Sequence, residues 1–288
     1  MGKKVILKRS DRQSVQTFIT IWTAACTLFA LIPLYITAIN SLKDFLQIKG
    51  SIFAFPGAGV FSILKSNYSL AWLGIYRSFF NSIYVGLLGA FVDCVIGAVL
   101  GYIFTYKEFH FKETIFMIFI AVMLLPSIMG MPILVPFMKM KLGLGDSFFG
   151  YLLPNFAGGQ VGGLFLFRTF FAQQPKSIYE SAQIEGANDF NIFIRFTVPL
   201  ALPIILYKFV GTFSSLYNDF LWPSLIMVDP DKKLIMQMIY ALTDTYESNQ
   251  QSGVMYAMYM LSSIPLIFTS IISMKFFASG DFAAGIKL

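Results

Sequence analysis

Polar residues interrupt an otherwise apolar chain at Ser177-Ile-Tyr-Glu-Ser-Ala-Gln-Ile-Glu-Gly-Ala-Asn188 and continue through Arg195-Phe-Thr-Val-Pro199. Apolar runs long enough to cross a bilayer flank this segment, so its polar residues are expected in water outside the membrane. Ser177 and Glu180 have the spacing of a capping box, which predicts a helix that starts at Ser177. Gly186 predicts a bend, because a residue without a Cβ adopts strained backbone conformations at the lowest cost.

A second short helix is expected after the bend. Asn188 or Asp189 can cap its first turn. The spacing of the apolar positions puts four residues on one face of this helix: Phe190, Phe193, Ile194 and Thr197. Pro199 and Pro203 suit the first turn of the membrane helix that follows, where a backbone amide is unpaired in any case. The segment therefore predicts a helix–bend–helix hairpin between two membrane crossings.

The composition is that of an integral membrane protein. Of 288 residues, 57% are hydrophobic and 12% are charged, about half the charged fraction of a soluble domain, and the mean hydropathy is +0.70. The apolar runs approach the roughly 20 residues that a helix needs to cross a bilayer. The fold class is therefore all-α. We expect six transmembrane helices, at residues 17–39, 79–106, 114–137, 147–171, 200–228 and 253–277.

The basic N-terminus sets the orientation of these spans. Five cationic residues stand before or at the start of the first span: Lys3, Lys4, Lys8, Arg9 and Arg12. Because cytoplasmic flanks carry the excess of Lys and Arg, we expect both termini and the polar hairpin in the cytoplasm. The first apolar run is too long for a signal-peptide core, so we expect it to be retained. Pro56, Gly57 and Gly59 predict an external, partly interfacial loop at residues 40–78.

Two motifs resemble the permease subunits of ATP-binding-cassette importers. Glu180-Ser-Ala, then three residues, then Gly186 resembles the Glu-Ala-Ala-x-x-x-Gly cytoplasmic loop of that family, and the pattern continues through Ala187, Phe193, Pro199 and Pro203. Asn218-Asp-Phe-Leu-Trp-Pro223 resembles a signature of the carbohydrate branch, similar to the smaller maltose-type permease subunit. Weaker matches lie at Phe80-Asn-Ser82, Gly143-Leu-Gly145 and Ala284-Gly-Ile-Lys287.

The resemblance implies a type I importer permease fold in a multi-pass protein of the bacterial plasma membrane. ATP and Mg²⁺ would then be bound by a separate dimer of ATPase subunits, and this chain would carry no cofactor of its own. The residues implied in coupling to the ATPase are Glu180, Ser181, Ala182, Gly186, Ala187, Phe190 and Phe193. Further implied partners are a second homologous permease subunit, an external solute-binding protein and membrane lipid.

The resemblance also suggests how the chain is divided. Residues 1–78 would hold the N-terminal tail, the first helix and the external loop. Residues 79–277 would form a five-helix core with the coupling loop at 173–199, and residues 278–288 a cytoplasmic tail. The outer loop at 229–252 is either a solvated connector or a contact for the binding protein. Its candidate contact residues are Tyr246, Glu247, Asn249 and Gln250.

Polar side chains at bilayer depth are candidates for the translocation path or a gate. An ionisable residue there is costly and tends to face a cavity or a partner. The candidates are Asn218, Asp219, Trp222 and Asp93. A helix break ahead of Pro223 accounts for Asn218 and Asp219 as well as a gate does. For Asp93 the alternative is a pairing with a neighbouring helix or with the partner subunit.

Other chemistry lacks support in the sequence. No Gly-x-x-x-x-Gly-Lys-Ser/Thr motif exists, so we do not expect this chain to hydrolyse ATP. His110 is the single histidine, and Cys26 and Cys94 lie in apolar segments, so neither a metal site nor a disulfide is expected. Gly97-Ala-Val-Leu-Gly101 is a small-x-x-x-small pattern typical of close helix packing. No basic recognition motif indicates nucleic-acid binding.

Three functions are compatible with the sequence. The first is a permease subunit that imports a sugar or oligosaccharide. The second keeps the permease but changes the solute, for example to a glycerol phosphodiester. The third is a self-contained channel or secondary transporter, which would need its own paired charges or inverted repeats, and the sequence gives no sign of either.

Overall fold

The described part of the chain is helical, without strands. A computed structural model describes the backbone of residues 9–278 and the side chains of residues 15–275. The N-terminal lysines and the Ala284-Gly-Ile-Lys287 motif lie outside the described residues. The α-helices are α1 (Arg9–Asn40), α2 (Phe45–Gly50), α3 (Val60–Tyr106), α4 (Lys112–Met123), α5 (Met131–Pro136), α6 (Phe148–Gly158), α7 (Gln160–Phe171), α8 (Lys176–Ile184), α9 (Asp189–Ile192), α10 (Val198–Leu200), α11 (Leu202–Tyr217), α12 (Leu221–Ile226), α13 (Ile235–Ser248) and α14 (Ser252–Ala278). Two 3-10 turns lie at Ser127–Gly130 and Pro230–Lys232, and two π-helical turns at Phe137–Lys141 and Phe193–Thr197.

Three of the described helices are individually long and apolar enough to cross a membrane. They lie at Val15–Asn40, Val60–Tyr106 and Ser252–Lys275. Two further crossings arise if each of two bent pairs counts as one span: Lys112–Met123 with Ser127–Lys141, bent by 88°, and Asp189–Leu200 with Leu202–Tyr217, bent by 77°. The span expected at 147–171 is present as two shorter helices, α6 and α7, which meet at Gly159. The all-helical fold is confirmed, and several expected spans are broken.

The external loop predicted at 40–78 is too long. Helix α3 begins at Val60, not near Phe79, and runs for 47 residues. No proline occurs between Val60 and Tyr106 to stop it, and the turn signals end at Gly59, whose φ is +82°. The loop predicted at 229–252 is likewise helical over α13, because Ile235 and Ile239 lie one turn apart and supply an apolar face that becomes buried.

The described residues fall into two compact units, one within Met1–Leu73 and Thr243–Leu261, the other within Gly74–Leu242 and Ser262–Leu288. In the first unit the Lys43 side chain is buried, and its Nζ donates to Asn40 Oδ1 at 3.1 Å and to the Ser51 carbonyl at 3.0 Å. Asn67 Nδ2 donates to the carbonyls of Ser41 and Lys43, at 3.0 Å each. These bonds join the end of α1 to the start of α3.

In the second unit, α3 packs closely against α7. Gly97 and Gly163 face each other, and a Cβ added to either glycine would lie 3.2 Å from the other's Cα. Because lipid tails are as apolar as the helices, close backbone approach drives this kind of association. The packing expected from Gly97-Ala-Val-Leu-Gly101 is therefore present.

Two clusters of buried, described residues lie in the second unit. One joins α3, α6, α11 and α12 and contains Val85, Met138, Tyr151, Leu152, Leu216, Trp222, Ile226, Met227 and Leu234. The other joins the C-terminal end of α3 to α7, α8 and α9 and contains Ala98, Tyr102, Phe167, Phe171, Tyr179, Ala182, Ile192, Ala201 and Ile204. The second cluster lies directly beneath the polar hairpin.

We expect Gly101→Ala to destabilise the protein. A Cβ at position 101 would lie 2.5 Å from Phe167 Cβ and 3.1 Å from the Arg168 backbone nitrogen. Overpacking of this kind costs about 1–3 kcal/mol, so the midpoint of thermal unfolding in detergent should fall. The control is Gly162→Ala on α7, where an added Cβ meets nothing within 4 Å. Its midpoint should stay or rise, because alanine favours a helix by about 1 kcal/mol over glycine. Equal midpoints for the two variants would contradict this account of the packing.

Candidate functional site

The polar segment forms the expected hairpin. Helix α8 ends at Ile184, and Gly186 follows with a φ of +81°. The Ala187 N–H donates to the Ala182 carbonyl and the Gly186 N–H to the Gln183 carbonyl, both at 3.0 Å. This is a Schellman motif, which places glycine at the left-handed position. Asn188 Oδ1 then accepts the Asn191 N–H at 2.9 Å, which confirms the predicted cap of α9.

The predicted capping box is wrong. The residue before α8 is Pro175, which makes no side-chain cap, and Lys176 is the first helical residue. Ser177 is therefore already inside the first turn. The N-cap position is Pro175, two residues before the serine that was expected to cap the helix. Pro199 and Pro203 stand in the first turns of α10 and α11, as expected.

Aromatic contacts anchor the hairpin to the rest of the unit. The rings of Tyr106 and Tyr179 lie 4.2 Å apart, and those of Tyr102 and Phe193 lie 5.3 Å apart. The Tyr106 hydroxyl donates to the Phe171 carbonyl at 3.0 Å. Lys107 Nζ bonds Asp189 Oδ1 at 2.5 Å. The hairpin is thus held by the C-terminal ends of α3 and α7.

Of the seven residues expected to couple to an ATPase, four are exposed and three pack against the cluster beneath the hairpin. Glu180, Ser181, Gly186 and Phe190 are exposed. Ala182 is buried in the cluster beneath the hairpin, where Ala187 and Phe193 also pack. Phe190, expected on one face with Phe193 and Thr197, is 71% exposed, and Ile192 is buried instead. The π-helical turn at Phe193–Thr197 adds a residue to the turn, so the buried face passes through Ile192 and Thr197.

The outer face of the hairpin combines charge with large apolar side chains. Ile184 is 88% exposed, next to the exposed Glu180 and Ser181. The bend and the cluster beneath present this face to solvent in a fixed shape. Exposed apolar groups rimmed by polar ones mark an interaction surface.

A second polar site lies between α3 and α11. Lys208 Nζ is 2.5 Å from Asp93 Oδ2, which also accepts the Thr212 hydroxyl at 2.7 Å. The Asp93 side chain is 4% exposed and that of Lys208 is 19% exposed. The pair borders a cavity of about 300 Å³ lined by Gly89, Asp93, Asn155, Gly159, Tyr207, Lys208, Gly211, Thr212, Ser215 and Leu216. Lys208 is not among the residues predicted from the sequence, although a lysine within an apolar span is a signal for such a site.

Asp219 and Trp222 belong to another cluster. The Tyr151 hydroxyl donates to Asp219 Oδ2 at 3.1 Å, and Trp222 Nε1 donates to the Tyr151 carbonyl at 3.1 Å. Asn218 is exposed, and its Nδ2 donates to the Ser214 carbonyl at 2.9 Å. Helix α11 ends at Tyr217 and α12 starts at Leu221, so the helical structure is interrupted ahead of Pro223. Asp93 is not part of this cluster.

The remaining candidates lie at the end of α13 and in the turn that follows it. Tyr246 is partly buried, whereas Glu247, Asn249 and Gln250 are exposed. Gln250 has a φ of +58°. The turn presents polar side chains to solvent.

Asp146 joins two loops of the second unit. Its Oδ1 accepts the backbone N–H of Val228 at 2.5 Å and of Asp229 at 2.8 Å, and its carbonyl accepts Lys232 Nζ at 2.8 Å. The backbone bonds from Asp229 and Val228 lower the pKa of the Asp146 carboxyl below its ordinary value.

A family model for the binding-protein-dependent transport system inner membrane component matches residues 94–280. This chain belongs to that family. The match covers the hairpin, Lys208 and the Asn218–Pro223 segment. Members of this family are the membrane subunits of importers that take their solute from a binding protein, so the resemblance found in the hairpin is confirmed.

Several transport permeases are similar to this chain, and the similarity covers most of the length of each. The arabinooligosaccharides transport system permease protein of Bacillus subtilis is 25% identical over 98% of this chain and 100% of its own. The diacetylchitobiose uptake system permease protein of Streptomyces coelicolor is 26% identical over 91% and 86%. The sn-glycerol-3-phosphate transport system permease protein of Salmonella choleraesuis is 27% identical over 87% and 90%.

The fold of this family member is similar to that of a solved transporter chain. The crystal structure is of a bacterial ABC transporter involved in the import of the acidic polysaccharide alginate. The TM-score is 0.80 at 21% identity, covering 94% of this chain and 99% of the other. An importer permease fold is therefore shown.

We expect Asp146→Asn to reduce the loss of stability in acid. The folded-state pKa of Asp146 is lowered, so its stabilisation is complete above the unfolded value of about 3.9 and is lost as pH falls through the folded value. Asparagine keeps an acceptor oxygen and tolerates the φ of +53° at this position, but it does not titrate. The thermal midpoint should fall further between pH 7 and pH 3 in the wild type than in the variant. An equal fall in both proteins would contradict the assignment.

Proposed function

We propose that this chain is one of two homologous membrane subunits of an importer that moves a sugar or oligosaccharide into the cytoplasm. Its partners would be the second permease subunit, a dimer of ATPase subunits that binds ATP and Mg²⁺, and an external solute-binding protein. The family assignment supports the permease role. The observation that carries the coupling proposal is the exposed face of the α8–α9 hairpin above its buried aromatic anchor.

In this proposal the hairpin transmits movement from the ATPase subunits to the membrane helices. Closure of the ATPase dimer on ATP moves the surface around Glu180, Ser181 and Gly186. The contacts of Tyr179 and Phe193 pass that movement to α3. Only interactions that differ between the inward-open and outward-open states can drive the change. An ATPase dimer meets this condition if it contacts the exposed face in both states but holds the hairpin at a different position in each.

The carbohydrate solute is supported by the relatives, two of which are named for arabinooligosaccharides and diacetylchitobiose. The alternative solute, a glycerol phosphodiester or a similar compound, is favoured by the relative named for sn-glycerol-3-phosphate. A self-contained channel or secondary transporter is disfavoured, because the family takes its solute from a binding protein.

The remaining site residues have roles in the same cycle. Asn218, Asp219 and Trp222 would line or gate the outer part of the path, with Tyr151 holding the latter two together. Asp93 would line its middle. The exposed turn with Glu247, Asn249 and Gln250, beside Tyr246, would contact the solute-binding protein.

We expect the double variant Glu180→Ala with Gly186→Asp to reach the membrane but to lose ATP-driven uptake. The first change removes an exposed carboxylate, and the second adds a side chain and a charge to the docking face at a φ of +81°. Uptake and co-purification of the ATPase subunits should both fall at least tenfold. The control is Glu108→Gln outside the hairpin, whose side chain is 89% exposed and which keeps an acceptor oxygen for Lys112; it should behave as the wild type. Normal uptake by the double variant at equal expression would refute the coupling role.

We also propose six crossings with both termini in the cytoplasm of a bacterial cell. Ile184→Cys on the hairpin should then react with a membrane-impermeant maleimide only after permeabilisation. Asp231→Cys, in the outer 3-10 turn, should react in intact cells. Both variants also carry Cys26→Ser and Cys94→Ser, so that the introduced cysteine is the thiol that reacts. Labelling of Ile184→Cys from outside intact cells would overturn the topology.

A further inference from the structure

The ion pair between Asp93 and Lys208 lies within apolar helices. Asp93 is 13 residues before the end of α3 at Tyr106, about 20 Å along the helix at 1.5 Å per residue. A buried pair is weak evidence for stability, because the loss of hydration of both ions offsets their attraction. Intramembrane ionisable residues also tend to mark a solute or ion pathway. The pair therefore needs a reason beyond packing.

Only one of the two carboxylate oxygens of Asp93 has a partner among the described residues. Its Oδ2 accepts from both Lys208 and Thr212, whereas its Oδ1 is buried without a hydrogen-bond partner among the described residues. A buried acceptor without a partner is costly and calls for an explanation. Gly159 borders this oxygen, and a Cβ there would lie 3.1 Å from Oδ1. The glycine keeps the space beside the oxygen free of a side chain.

One face of α11 beside the cavity is exposed and short of apolar side chains. Tyr207, Gly211 and Ser215 are exposed at successive turns of the helix, four residues apart. Lys208 and Thr212 form the neighbouring row. Polar groups at this depth tend to face the protein interior or a water-filled cavity, not lipid. This face of α11 is therefore suited to a hydrated path.

The chemistry of the cavity matches a neutral, hydroxylated solute. The Lys208 charge is balanced by Asp93, so the pair leaves no net positive charge for an anion such as phosphate. Its groups instead offer a carboxylate acceptor, an ammonium donor and the hydroxyls of Thr212 and Ser215. The volume of about 300 Å³ is at the lower end of small-molecule sites, which span about 300–1,000 Å³. It suits one small unit of a solute at a time.

We propose that the cavity between α3, α6 and α11 is a binding subsite for a neutral, polyhydroxylated solute, in which Asp93 and Lys208 bond its hydroxyl groups. The proposal rests on the proposed import function and assigns a direct solute contact to this chain. It also separates the two candidate solutes, because the balanced charge pair favours a sugar over a glycerol phosphodiester.

The first test fills the cavity. The complete transporter is reconstituted in liposomes, and uptake is measured with labelled arabinotriose, diacetylchitobiose and sn-glycerol 3-phosphate as probes. An added Cβ at Gly211 meets nothing within 4 Å, so Gly211→Leu extends into open space. We expect it to lower uptake of the transported sugar at least tenfold. Gly162→Leu, also in open space but outside the cavity lining, should stay within twofold of the wild type.

The second test changes the charge balance. Asp93→Asn leaves Lys208 uncompensated, so we expect the ratio of sn-glycerol 3-phosphate to sugar uptake to rise at least fivefold. Asp93→Asn with Lys208→Met restores neutrality and should bring this ratio back below that of Asp93→Asn alone. A purely structural pair would lower uptake of every probe alike. If Asp93→Asn does not assemble, Thr212→Val keeps both charges and should raise the half-saturating sugar concentration at least threefold.

The outcomes separate the two proposals. Wild-type uptake of a sugar, together with unchanged uptake by Gly211→Leu, overturns the subsite and leaves the importer intact. An unchanged solute ratio in assembled Asp93→Asn, or an unchanged half-saturating concentration in Thr212→Val, also overturns the subsite. Absence of ATP-dependent uptake of any probe by the wild-type complex overturns the import of these solutes, and the subsite falls with it.

Discussion

No water reaches the hydrocarbon core of a bilayer, so every backbone and charged group there needs a partner within the protein or a hydrated cavity. The long helices α1, α3 and α14 meet this demand for their own backbones. The charges of Asp93 and Lys208 meet it by pairing across α3 and α11. The pair joins α3 to α11 at one level of the two helices. The polar cavity is placed at the same point.

The hairpin also packs on α3, but it has one face exposed to solvent and one face buried. It lies between α7 and α10, and its outer face carries both charge and exposed apolar side chains. Its inner face is held by aromatic rings at the end of α3. Tyr102 is nine residues from Asp93, about 14 Å along one continuous helix. The hairpin and the buried ion pair are therefore both attached to one continuous helix, α3.

Sequence patterns predicted the hairpin well, because its conformation is set locally. Gly186 adopts a positive φ and Asn188 caps α9, and both follow from the chemistry of single residues. The predicted serine cap failed because Pro175 starts the helix first. Phe190 and Ile192 exchanged roles because a π-helical turn changed the register of the buried face. Periodicity assumes a regular helix, so it cannot anticipate such a turn.

By itself the sequence determined the helical class, the membrane location, the bend at Gly186 and the helix break ahead of Pro223. These features depend on composition and on local backbone chemistry. Only the tertiary structure decided that Asp93 pairs with Lys208, that Tyr151 joins Asp219 to Trp222, and that Ala182 is buried while Ile184 is exposed. The physical reason is that these contacts join residues far apart in the chain or depend on which face of a helix meets a neighbour. Hydropathy records how apolar a helix is, but not what lies opposite each of its side chains.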